Sequence, residues 1–390
     1  MIINDDQYRQ FRVHVHHLDQ RVPARRVLAV AGTIGLQNSP PGAWEQAVFN
    51  RVADITAAEL RGMLEKQKSL LQAWSFRGAP AVFPTQDAAT FLNALAAEKD
   101  EEPWIYTAGL VPSLPQLGID YTTLLTLVSQ ATKTVLADKT ITGKSQLDAA
   151  VAEAVAADLP AAKQAAWQQP SPYGAKQTLG QAAVSFMLRP TGFQGLVVFG
   201  QRSGQSPTFT SPKHWGVGWP EESAAMHELV QRYVHAYGPT NRQEFTKWLG
   251  CSIAQGRRLW DLVADELTAV DAGSVLTADL PEFQKAVEAT GTLRLLGPHD
   301  PYLDANGRDL LLPDKKLQRK VWRTVGNPGA VLLDGRIIGL WRQRKQGKQL
   351  SATVDSFVPL TNRLKQQITS QVEAYAAFLQ VTLKALTYDE

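Results

Sequence analysis

Only one cysteine, Cys251, stands among 390 residues, which excludes an intramolecular disulfide. Its place in a turn before a helix reads as packing. Long apolar runs are also missing. Nothing approaches the roughly eighteen residues a membrane helix needs, and the opening MIINDDQYRQFRVHVHH has no apolar signal core. A cytoplasmic location with no membrane partner is the expectation. Absent too are a Walker loop, a dinucleotide fingerprint after a strand, HExxH and a nucleophile elbow, so no nucleotide or other cofactor is expected. His14, His16 and His17 lie close together, yet no Cys or second close His group joins them to complete a metal site, and a surface segment is the plainer reading.

What is present is an ordinary globular composition, 44% hydrophobic, in a chain long enough for two to four domains. The net charge of +3 conceals an uneven distribution. Residues Ala305 to Leu350 hold eleven Lys and Arg against three Asp, a local balance of +8 that leaves −5 on the rest. A basic stretch on a mildly acidic body suits a localised polyanion-binding face.

Tyr237 to Leu280 sets the pattern for the chain. A helix from about Glu221 to Ala236 precedes it, stopped by Gly238-Pro239. Thr240 and Gln243 have the spacing of a capping box for a short helix carrying Phe245, Trp248 and Leu249, and Gly250 suits its left-handed end. Ser252 and Gln255 repeat the box before a helix of about four turns with Ile253, Leu259, Leu262, Val263 and Leu267 on one stripe. The tail alternates around Ala272-Gly273-Ser274 as a two-stranded ribbon. Helix, turn, helix and ribbon spell a winged helix. Arg257 and Arg258 sit where a recognition helix touches DNA, while Asp261, Asp265 and Glu266 would repel phosphate, so a DNA reader and a packing scaffold both stay open.

The same order occurs elsewhere. Phe11 to His17 reads as a strand, or as a helix through Gln7 to Leu18. Arg25 to Leu36 is a helix running into Gln37-Asn38-Ser39-Pro40-Pro41, whose prolines force an extended turn. Helices over Trp44–Val52 and Thr56–Leu64 follow, then an apolar ribbon through Pro84. Further on come helices over Tyr121–Leu136 and Ser145–Leu159, a loop over Gln164–Gly174, a helix over Gln177–Leu188 and a wing over Gly195–Thr210. Arg202 at that wing's tip is either a DNA contact or a solvated turn. From Gly291 the pattern changes. Asp334-Gly335 marks a hairpin, Lys345 to Lys348 a second turn, and Thr361 to Leu386 a long amphipathic helix. Arg342, Arg344, Lys345 and Lys348 crowd that second turn as a phosphate-tracking surface.

The expected fold class is α+β: three tandem winged-helix units over residues 1–100, 101–220 and 221–290, then a small antiparallel β domain with a C-terminal helix over 291–390.

The blocks GLQNSPPGAWEQAVFNRV, TAAELRGMLEKQKSLLQAWSFRGAPAVFPTQDAATFL, LLGPHDPYLDANGRDLLL and AVLLDGRIIGLWRQR, in this order with the unit after Tyr237, resemble the tandem winged-helix DNA-binding family. That family includes bacterial DNA glycosylases that unhook interstrand crosslinks and remove alkylated bases. The resemblance implies double-stranded DNA as partner. It places Gln37 and Ser39 at the catalytic turn and Arg77 in the ribbon beside it. Two positions depart from the family pattern: Ser39 stands where a Gln or Asp is usual, and Ala81 where the ribbon carries His. Gln37 can accept from and donate to one water at once, whereas Ser39 is shorter. Asp300, in His299-Asp300-Pro301, is either a water-activating carboxylate or a turn residue. The resemblance thus leaves two functions, a repair glycosylase or a non-catalytic DNA-binding or interaction protein on the same scaffold.

Overall fold

The computed structural model describes residues 3–99, 101, 105–219, 224–285, 290–304 and 307–389. Two compact units are each assembled from separated stretches: Met1–Met63, Val230–Glu244 and Val263–Glu390 form one, Leu64–Leu229 and Phe245–Leu262 the other.

Along the chain most of the expected elements form, with shifted ends. Asn4 and Gln7 cap each other reciprocally at the start of α1 (Asp5–Val15), so the helical reading of the His-containing segment holds. α2 (Val27–Gly32) stops four residues before the expected Leu36. Gly35, at φ 74, turns the chain into the short strand β1 (Leu36–Gln37). α3 (Ala43–Arg51) follows the prolines, and α4 (Ala57–Glu65) starts at the Thr56–Glu59 cap. β2 (Leu70–Trp74) and β3 (Pro80–Pro84) form the ribbon. Next come α5 (Tyr121–Val135), β4 (Ile141–Thr142) and α6 (Lys144–Asp158). The interval expected as a loop from Gln164 is entered by a helix, α7 (Ala161–Trp167), whose alanines favour it and whose Trp167 is fully buried. α8 (Leu179–Phe193) then begins at a Thr178–Gln181 capping box, and β6 (Thr208–Thr210) pairs antiparallel with both β5 (Val198–Phe199) and β4.

α9 (Ala225–Tyr237) comes next; its expected start at Glu221 lies outside the described residues. α10 (Arg242–Leu249) is capped by Asn241, not by Thr240. The Asn241 Oδ1 accepts from Glu244 N–H, while the buried Thr240 hydroxyl is 2.9 Å from Tyr233 Oη and donates to Glu244. α11 (Ile253–Asp261) keeps its Ser252 cap, but the Gln255 side chain does not close the box and donates to Leu95 and Ala96 carbonyls instead. This helix is shorter than expected and its stripe narrower: Leu259 is buried, whereas Ile253 is 80% exposed. β7 (Leu267–Val270) and β8 (Gly273–Leu276) complete the third ribbon.

The last stretch supplies β9 (Leu293–Leu296), β10 (Gly329–Leu333), β11 (Arg336–Gln346), β12 (Gln349–Ser356), α12 (Asn362–Phe378) and β13 (Thr382–Asp389). Two expectations are corrected here. The long helix ends at Phe378, because Gln380 at φ 56 reverses the chain and Thr382–Asp389 pairs with β12. The sheet, ordered β13-β12-β11-β10-β9, is mixed, since β13 runs parallel to β12. Asp334 and Gly335, both at positive φ, make the expected two-residue turn between β10 and β11.

In the first unit α12 lays Ile368, Val372 and Tyr375 toward the sheet, while Tyr302, Leu303, Leu311 and Leu332 form a second apolar cluster with Val13 and Leu18. The second unit is built around α5, α6 and α8 with Trp74 and Phe209 in its core. Trp167 donates its indole N–H to Ala152 O at 3.0 Å. A Cβ at residue 180 would lie 2.2 Å from that ring, so Gly180 is what lets α8 close over it.

Candidate functional site

The Gln37 turn is built by sequence-local means. Gln37 ends β1, 9% exposed, and Asn38 beside it is buried. The Asn38 Oδ1 accepts from Gly42 N–H at 2.7 Å, across Ser39-Pro40-Pro41, and so closes the loop that enters α3. Ser39 is half-buried and joined to Pro40 by a cis peptide bond.

α3 is fastened to β9 and the loop after it by side chains that the sequence reasoning missed. Gln46 Nε2 and Asn50 Nδ2 both donate to Leu295 O, at 3.2 and 3.0 Å. Arg51 makes a two-point ion pair with Asp300, whose Oδ1 also accepts from Tyr302 N–H. Polar residues at i and i+4 on a helix face otherwise made of Ala47 and Val48 were the available signal. Asp300 therefore stands in a buried structural pair, with its side chain 1% exposed, and is not a carboxylate open to water.

Beyond the turn lies an open cavity of about 560 Å³. Pro40 to Ala43 form one wall, and Arg342 and Lys345 come to it from β11, with Gln46, Arg61 and Gln343 between. Gln37 and Ser39 border this wall along the chain but are not among the lining residues. Glu45 accepts from Arg61 at 2.9 Å, so one carboxylate already tempers the cations here. Gln343 Nε2 reaches Gln46 Oε1 at 3.2 Å and Tyr375 Oη at 3.1 Å, and burial pushes the Tyr375 phenol up to about 12, so it stays a neutral partner.

The hairpin cations are exposed. Alternation along β11 puts Arg342 and Arg344 on one face, opposite Thr353 and Ser351, and Lys345 on the other, opposite Leu350; Lys348 sits in the two-residue turn before β12.

The remaining candidate cations are scattered through the second unit. Arg77, at φ 56 between β2 and β3, donates to Trp248 O at 2.9 Å and stacks on Phe76, with its guanidinium carbon 5.3 Å from the ring centroid. Arg258 is bound by Glu98 and Glu101, its Nε to Glu101 Oε1 at 2.8 Å, which raises its pKa and removes it from any outward role. Arg257 projects outward, 72% exposed, at 3.8 Å from Asp261. Arg202 is half-buried in its loop and donates to Gln205 O. Ala81 is fully buried opposite Ala73.

The histidines do not converge either. His16 is buried and donates to Ala236 O at 3.1 Å, and desolvation holds it well below its usual pKa, hence neutral. His14 faces outward to Asp19. Among the described residues no helix is long and apolar enough to cross a membrane.

A continuous match over residues 30–378 to the family described as DNA glycosylase AlkZ-like shows that the chain belongs to the AlkZ-like DNA glycosylase family. One relative is the interstrand DNA cross-link repair glycosylase of Streptomyces sahachiroi. The two are 32% identical over 168 residues, a segment that covers 40% of this chain and 45% of that protein. The solved Streptomyces sahachiroi DNA glycosylase AlkZ has the same fold, with TM-score 0.75 and 21% identity, covering 99% of this chain and 100% of that one.

Proposed function

We propose that the protein is a DNA repair glycosylase that binds duplex DNA in the cytoplasm and releases alkylated or crosslinked bases. Its scaffold is read as three tandem winged-helix units over 1–100, 101–220 and 221–290 and a basic domain over 291–390. The observation that carries the reading is the cavity in which the wall following Gln37 and Ser39 meets Arg342 and Lys345, in a member of a glycosylase family. Cations at its rim would hold phosphates on either side of a lesion, with affinity that falls as salt rises.

The reaction is hydrolysis of an N-glycosidic bond. The base leaves with the bonding electrons, the sugar becomes cationic, and water oxygen forms the new bond to C1′ as its proton passes to the departing base or to solvent. Gln37 is the residue suited to orient that water, because an amide both donates and accepts and its strand-end position restricts its motion. Ser39 supplies a shorter second contact. Asp300 has no part in the proposed reaction, since Arg51 and the Tyr302 amide engage it.

A second reading, DNA binding without excision, draws on two particulars: the short side chain of Ser39 and the buried Ala81. Incubation with duplex DNA bearing a labile alkylpurine, scored for abasic sites, separates the two. Abasic sites above the protein-free rate support the glycosylase. DNA binding with no release supports the second reading, and no binding even at low salt removes both.

A further inference from the structure

A groove of about 430 Å³ opens between β9 and the first half of α12, away from the residues discussed above. Its walls carry donors: the guanidiniums of Arg294 and Arg363, the amides of Gln366, Gln367 and Gln371, and the Ser370 hydroxyl. Arg363 is exposed at the groove, its Nη2 3.4 Å from where a Cβ on Gly291 would stand.

Arg294 is only 9% exposed, and its nearest acceptors are two carbonyls, Leu293 O at 3.2 Å and Asp19 O at 3.3 Å. Its Nε has no acceptor. A second guanidinium, Arg21, lies close, 3.5 Å from Gln371 Oε1 and with its own Nε unmatched. Burial, then the charge of Arg21, pushes Arg294 down to about 10. The carboxylates nearby are engaged elsewhere. Asp19 takes the Gln20 amide and His14, and Asp334 takes the amides of Gly291 and Thr292. Among the described residues, no carboxylate forms an ion pair with Arg21, Arg294 or Arg363. A buried guanidinium without an ion-pair partner is costly, and the half-buried Arg21 beside it adds to the cost.

We propose that this groove is an oxyanion site that takes a phosphate group, held by Arg363 and the α12 amides over the buried charge of Arg294. Guanidinium and amide donors on several sides match tetrahedral phosphoryl oxygens, and an anion there supplies an ion-pair partner that no described carboxylate gives Arg294 or Arg363. The group belongs either to a nucleic-acid backbone or to a small phosphorylated molecule. The site does not depend on base excision.

Calorimetric titration of the full chain with inorganic phosphate, at ionic strength held constant with sodium chloride, tests it. The native protein is expected to show saturable uptake, weakened about tenfold or more by Arg363→Gln through loss of a charge-assisted contact. Lys365→Gln removes the same charge from the same helix but from a side chain that lies over Tyr388, and leaves uptake unchanged. Arg294→Gln abolishes uptake. Should that variant not fold, Arg363→Gln combined with Gln366→Ala carries the test. Duplex binding then identifies the source. If the phosphate is a DNA phosphodiester, Arg363→Gln lowers the log-log salt slope by about one and inorganic phosphate competes with DNA. If it is a small molecule, the slope is unchanged while phosphate uptake is still lost. No saturable uptake by the native chain, equal uptake by Arg363→Gln, or equal loss in Lys365→Gln overturns the site.

Discussion

Arg51 and Asp300 meet at 2.6 Å and 2.8 Å through both guanidinium ends and both carboxylate oxygens, with 3% and 1% of their side chains exposed. The pair ties α3, which begins just after the Gln37 turn, to the loop after β9.

Breaking this pair from either side leaves a buried charge. Arg51→Ala or Asp300→Ala should cost about 3–5 kcal/mol of folding stability, and an apolar replacement of both much less. Urea denaturation reads this directly. Should Asp300→Ala keep native stability yet lose base release, a chemical role for Asp300 would be restored.

Cations on the β11–β12 hairpin should act on all DNA sequences alike. Replacing Arg344, Lys345 and Lys348 by alanine removes up to three phosphate contacts, lowering the log-log salt slope by about three and leaving sequence preference unchanged. Fluorescence anisotropy across a salt series measures both. Unchanged affinity would assign the cluster to solubility.

Excision, where present, should pass through Gln37. Gln37→Ala is expected to reduce single-turnover base release by about 10²-fold or more with little change in DNA affinity, as for loss of a group that positions water. The native rate should be low because Ser39 is short, and Ser39→Gln should raise it. Excision surviving in Gln37→Ala would mean another residue orients the water.

Cys251 should be inert. Desolvation pushes its thiol up to about 12, so at neutral pH the native protein holds almost no thiolate. Alkylation by iodoacetamide should be slow at pH 8 and become fast on unfolding. The linked stability is fully present below the ordinary thiol pKa and is lost as pH climbs from there towards 12, because the unfolded chain ionises first. Rapid labelling of the folded protein at pH 8 would place the thiol in contact with water.

The sequence displayed elements with strong local signals and hid those decided by distant partners. The Asp334-Gly335 turn and the Thr56–Glu59 cap could be read directly, because each is fixed within a few residues. The end of α12 could not: Leu379 and Leu383 continue its helical stripe, and only pairing with β12 makes Thr382–Asp389 a strand. Site residues divide in the same way. Gln37 was named through the resemblance and the hairpin cations through their density, and both remain proposals. Arg258 looked outward on its helix because nothing near it in sequence announces Glu98 and Glu101 as partners. Asp300 looked reactive beside its proline, whereas Arg51 lies 249 positions away.

Because β13 joins β12 on its far edge, the strand behind the basic turn has neighbours on both sides. A slip of β12 by one residue would exchange its faces, and would have to break hydrogen bonds to both β11 and β13 and reverse the burial of Leu350, Ala352 and Val354. The tip can therefore bend towards or away from a bound strand, but it cannot be re-threaded. The cations behave as teeth on a fixed comb, whose spacing is set by the strand and whose reach alone adjusts to the shape of what it grips.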